Sequence, residues 1–205
     1  MKNLIFFFLL FSSCSVGVKQ GSSYTQSIAH HREEYKKEFL ADERSPLKKE
    51  DLKNLRFYKP DESYKVKCSF ERTPDEQPFE LPTYSGITKT YVKYGVLAFE
   101  LQGKPQQLAV YRSLRLMLMP QYRDYLFLPF RDATNGETTY GGGRYLELKI
   151  SEVESGSFYL DFNKCFNPWC AYSDGYNCPI PPVENTLEIA VLAGEKLYAG
   201  EKKHG

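Results

Sequence analysis

From position 64 onward apolar and polar residues alternate along much of the chain, and this period of two predicts strands. Tyr64, Val66, Cys68 and Phe70 alternate with Lys65, Lys67 and Ser69, the pattern of a strand with one buried face. Residues 87–101 read as one long strand or two short ones broken near Tyr94-Gly95. Further strands are expected over 107–112, 125–130, 144–150, 158–162 and 187–192. Turn signals at Gly103, Asn135-Gly136 and Ser155-Gly156 separate them. Roughly seven or eight strands with no long helices between them predict a mainly β fold, an antiparallel β-sandwich or barrel.

Ahead of the strands the spacing becomes helical. Ser27 is positioned to cap a helix through Asp42, with Ile28, Tyr35 and Phe39 as a partial apolar stripe. The charges between them, from Arg32 to Glu38, read as a solvated face. Ser45-Pro46 predicts the start of a shorter helix over 48–55, since proline is tolerated at the first helical position. Residues 15–27 are polar and serine-rich, as expected of a tether.

The first residues read as a processing signal. Lys2 is followed by the apolar run LIFFFLLF at 4–11, far short of the ~20 residues needed to span a bilayer. Ser12 and Ser13 then lead to Cys14, an arrangement resembling a bacterial lipobox, whose cysteine is lipidated and becomes the new N-terminus. The expected organisation is a lipoprotein signal peptide at 1–14, a tether at 15–27, a helical segment at 28–57 and a β-rich domain at 58–200. The partner implied by acylated Cys14 is the lipid bilayer, and the flanking residues fit an outer-membrane lipoprotein facing the periplasm.

Charge and composition remove several function classes. Loss of Lys2 with the signal leaves 26 basic and 26 acidic residues, and nucleic-acid binding needs a clear basic excess. The three histidines are His30, His31 and His204, so the strand region holds no imidazole for a Ser–His or Cys–His unit or a histidine-rich zinc site. His30 and His31 read as surface residues of the helix. No cofactor and no metal are called for by any spacing. The 16 tyrosines and 14 phenylalanines suit half-buried pleated surfaces.

Two loop-rich stretches, 126–145 and 160–185, concentrate Arg, Asp, Asn, Tyr and Gly and form the candidate site. Arg131, Asp132, Tyr140, Arg144, Asp161, Asn163 and Tyr172 are the candidate ligand-binding residues, and the two arginines point to a polar or anionic ligand. Gly141-Gly142-Gly143 ahead of Arg144 is either an anion-binding nest or a loop that needs glycine for its backbone. Asp161 lies in an apolar strand, where a charge needs a partner such as Arg131 or Arg144. The rival reading is a hydrolase built on Asp132, Asp161 and Glu184 with or without a divalent metal; a third is a structural envelope protein. Beyond Cys14, the cysteines Cys68, Cys165, Cys170 and Cys178 fit disulfides better than zinc knuckles, with three pairings open.

The chain also resembles the bacterial and archaeal domain-of-unknown-function family 1684. The resemblance is carried by SPL at 45–47, LRFY at 55–58, LPT at 81–83 and Tyr94-Gly95. It continues through FLPFRDATNGETTYGGGRYL at 127–146, LDFN at 160–163, NPWCAYS at 167–173, NCPIPPVEN at 177–185 and AGEK at 193–196. The family implies no activity. Cys170 and Cys178 fall within its motifs whereas Cys68 and Cys165 are additions, which implies two disulfides, Cys170–Cys178 and Cys68–Cys165.

Overall fold

The structure, a computed structural model, describes residues 23–204. The signal peptide, Cys14 and positions 15–22 of the tether lie outside the described residues. The fold is mainly antiparallel β: seven strands form one sheet curled into a half-barrel. In chain order they are β1 (Lys65–Arg72), β2 (Phe79–Pro82), β3 (Thr88–Leu101), β4 (Lys104–Ser113), β5 (Tyr125–Phe130), β6 (Arg144–Lys149) and β7 (Phe158–Asp161). The spatial order is β6-β5-β4-β3-β1-β7, with β2 lying on the first part of β3 ahead of β1. The outcome is the barrel-like of the two expected architectures, in one curled sheet.

The alternation predicted from sequence sets the two faces. Val66 and Cys68, Leu97 and Phe99, Leu108 and Val110, Leu126 and Leu128, and Leu146 and Leu148 all meet in the concave core. Tyr91, Ala109, Tyr111, Phe127 and Tyr145 point the other way into a second cluster. The loops after β7 cover that convex face: Tyr145 donates to the Pro179 carbonyl, and Ile180 bonds Pro82 through its N–H at 2.8 Å. Strand β3 runs unbroken through the suspected interruption, which is a register shift between Lys93 and Gly95. A Cβ on Gly95 would strike the Glu71 carbonyl and the Phe70 ring, so glycine there serves close approach of two strands.

Three expectations fail. The helix α1 covers Ser23–Ala41, so it includes 23–27 of the expected tether. Over 48–55 there is only the single 3₁₀ turn Leu52–Asn54. Residues 187–192 form no strand, because their backbone is taken up by other groups. Leu187 donates to the Arg131 carbonyl (2.8 Å), Ala133 to the Ile189 carbonyl (3.2 Å), and Val191 to the Asp132 carboxylate (3.2 Å).

Cys170 and Cys178 form the disulfide implied by the family motif. Cys68 and Cys165 do not pair. Both are free thiols in the concave core, each donating weakly to a carbonyl, of Val66 and Ala193. Burial pushes both thiols up to about 11, so neither supplies a thiolate near neutral pH.

Helix α1 packs across the opening of the half-barrel through one face. Tyr24 donates to Asp161 (3.0 Å), Ile28 is fully buried, Arg32 donates to the Tyr58 carbonyl (2.8 Å) and stacks over Phe57, and Phe39 meets Tyr172 edge-on. These positions recur at helical spacing, which is why a helix with few apolar residues still docks.

Candidate functional site

The edge strands β6 and β7 curl toward each other without pairing along their length. One isolated bridge joins the two sides: Tyr145 and Phe166 exchange backbone hydrogen bonds of 2.9 and 3.0 Å. Beyond that bridge the seam stays open, α1 roofs it, and a cavity of about 910 Å³ remains. Leu146, Glu147 and Leu148 form one wall and Phe158, Tyr159 and Asp161 the other. From α1 come His31, Tyr35, Glu38 and Phe39, and Trp169 and Phe166 close one end. The volume falls in the range of small-molecule sites, which are typically about 300–1,000 Å³.

Burial shifts three of its ionisable groups toward their neutral forms. Burial, followed by the charge of Glu34, raises the Glu38 carboxyl above its ordinary value. Glu147 is raised by burial first and also by Glu38, while a hydrogen bond from Tyr125 (3.1 Å) opposes the rise. His31 is half-buried rather than a plain surface residue; burial first and Lys164 next lower its pKa.

Of the seven candidate residues only Asp161 lines this cavity. Asp161 has no arginine partner; it accepts from Tyr24, from the Asn163 N–H (3.0 Å) and from Asn163 Nδ2 (3.0 Å). Asn163 in turn holds Asp61, accepting from its N–H and donating to its carbonyl. Asp132 and Arg144 form a sealed ion pair of 2.7 Å with both side chains wholly buried. Arg144 also donates to the carbonyls of Val191 (2.9 Å), Ala193 (2.5 Å) and Glu195 (3.3 Å). Both terminal nitrogens of its guanidinium are turned to protein acceptors, so the anion clamp expected of Arg144 is corrected to a structural brace. The glycines before it serve packing: Gly143 has φ +89°, and a Cβ on Gly142 would collide with Tyr140 and Tyr84. Tyr140 packs edge-on against Tyr84 and donates to the Cys170 carbonyl, while Arg131 reaches Tyr84 at 3.5 Å.

The acids named for hydrolysis do not converge either. Asp132 is sealed, Asp161 is in the seam, and Glu184 is bound by Lys93 (2.7 Å) and Tyr111 (2.6 Å) on the other face of the sheet. Among the described residues no group of three or more His, Cys, Asp or Glu is placed to hold a metal ion.

Tyr172 belongs to a buried network behind the cavity. It donates to Glu195 at 2.6 Å, Tyr35 donates to the same carboxylate at 3.1 Å, and the Asn167 N–H adds a third bond at 2.9 Å. Burial outweighs these donors and lifts the Glu195 carboxyl to about 7. Because the folded value lies above the ordinary 4.5, the stabilisation is complete below that pH and is lost as pH rises through about 7. Urea unfolding of the wild type is expected to lose on the order of 3 kcal/mol between about pH 5 and 8 from this group. The Glu195→Gln variant should show a flatter profile; an unchanged slope would assign the pH dependence elsewhere.

Sequence reasoning missed Tyr35, Glu38, Glu147, Trp169 and Glu195. Glu38 and Glu147 carried the signal of solvated positions, and Glu195 only that of its family motif.

Residues 50–196 match the family model described as "Protein of unknown function (DUF1684)". The chain is also similar to an uncharacterised protein of Haloarcula marismortui with a solution structure. That match is 34% identical, covers 83% of this chain and 92% of the other, and has a TM-score of 0.65. No curated protein matches.

Proposed function

Since the chain belongs to the DUF1684 family, for which the matching model records no activity, its role has to be read from the seam, and we propose a small-molecule binding module. The ligand enters between α1 and the unpaired edges of β6 and β7. One observation carries this reading: a cavity of about 910 Å³ bounded by three elements, with polar and aromatic walls. The polar or anionic ligand drawn from the two arginines loses its main support, because Arg144 is sealed with Asp132.

The module is further proposed to be a lipoprotein, held to the bilayer by acylated Cys14 and facing the periplasm from the outer membrane. The sequence of residues 1–14 supports this, and the Cys170–Cys178 disulfide fits an oxidising compartment.

The lone tryptophan, Trp169, lines the cavity and is a built-in reporter. A mixed set of small aromatic amines, alcohols and acids is to be screened against the isotope-labelled mature chain by NMR. Shifts concentrated at the Trp169 indole N–H and the amides of Glu147 and Tyr159 are expected, with a rise in melting temperature at saturation. A set that leaves those signals unmoved removes the binding role.

A further inference from the structure

The seam cavity has a definite electrostatic sign. Six carboxylates line it against two permanent cations, Arg44 and Lys164. Arg44 is already taken by Asp42 through contacts of 3.2 and 2.8 Å. Glu38 on α1 and Glu147 on β6 reach in from different walls, and each feels burial and a like charge more than any cation. His31 stays below its ordinary pKa and brings no positive charge at neutral pH. The cavity therefore holds negative potential that protein cations do not neutralise.

Its walls carry aromatic rings beside those acids. Tyr35 lies 5.0 Å from Phe39 and 5.6 Å from Phe166 between ring centroids, and Phe39 lies 6.5 Å from Trp169. Ring faces attract organic ammonium groups, most strongly where water is partly displaced. A bare metal ion suits the site less well. Its volume far exceeds an ion, and no three metal-ligating side chains come together among the described residues.

We propose that the seam cavity binds an organic cation: an ammonium or quaternary ammonium group on an apolar or aromatic body, held between Glu38 and Glu147 with its body against Tyr35, Phe39 and Trp169. This rests on the binding role above and adds the ligand's chemical class.

Three probes of similar size decide it: benzyltrimethylammonium, benzyl alcohol and benzenesulfonate. Each is titrated into the full mature chain at fixed ionic strength, following Trp169 fluorescence and melting temperature. The cation is expected to bind at least about tenfold more tightly than the alcohol, and the sulfonate most weakly. Glu147→Gln and Glu38→Gln should each weaken the cation by about three- to tenfold while leaving the alcohol unchanged. Both side chains reach solvent, and a cooperative melting curve confirms that each variant is folded. If the alcohol or sulfonate binds as tightly as the cation, or if both variants keep the full cation preference, the cation inference is overturned and the binding role survives. If no probe moves either signal, the binding role itself fails and takes the inference with it.

Discussion

Arg144→Leu is expected to destabilise the folded chain by about 3–5 kcal/mol, because it strands the Asp132 carboxylate in a dry interior. The loss reaches beyond the ion pair. Arg144 supplies donors to the carbonyls of Val191, Ala193 and Glu195, and these hold the C-terminal segment over the core. Asp132 likewise accepts from the N–H of Val191 and from Thr134. Urea denaturation of the single variant and of Arg144→Leu combined with Asp132→Leu separates the contributions. The double variant should recover part of the loss, since two well-packed apolar side chains leave no buried charge. A single variant as stable as the wild type would contradict the brace and reopen Arg144 as a ligand contact.

Asn185→Ala should be about as damaging, again about 3–5 kcal/mol, through loss of three buried hydrogen bonds. Strands β4 and β5 share one registered backbone pair, Tyr111 with Phe127. Pro129 sits within β5 and has no N–H to offer a neighbour. Asn185 fills the gap, accepting from the Ala109 N–H (2.8 Å) and donating to the carbonyls of Ala109 (2.8 Å) and Pro129 (2.7 Å). Its amide thus stands in for a missing length of strand. Asn185→Asp keeps the shape but faces two carbonyls with a carboxylate, so it should not rescue stability. Hydrogen exchange at Ala109 gives a local readout, with protection expected to fall sharply in both variants. Retained protection would mean that β4 and β5 hold together without the plug.

Pro129 shows how far the chain could be read without coordinates. The strand expected over 125–130 is present, but alternation said nothing of what its proline leaves unpaired. Nothing local identified Asn185, which lies 56 positions away from Pro129 in the chain. The same limit explains the candidate site. Arg144 next to three glycines reads either as an anion-binding nest or as a loop that needs glycine, and only Asp132 and the overlying segment 191–195 make it a buried brace. Residues 187–192 carry strand alternation because every second side chain is buried, yet their backbone is satisfied by the 131–133 loop and by the Asp132 and Arg144 side chains. Glu147 and Glu38 carry the pattern of solvated faces. They become cavity walls once α1 is laid over an open sheet edge.

What the amino-acid order determined by itself is six of the seven strands (all but β2), the faces they bury and the family motifs, because side-chain alternation is local and repeats every two residues. Which polar groups face a ligand was decided only by the curl of the sheet and the docking of α1. Two consecutive strands that lie at opposite edges of the sheet border one hollow, while polar loops that looked like a binding site close over each other. Burial and charge at a site are sums over all neighbours in space, and those neighbours are fixed by the tertiary fold.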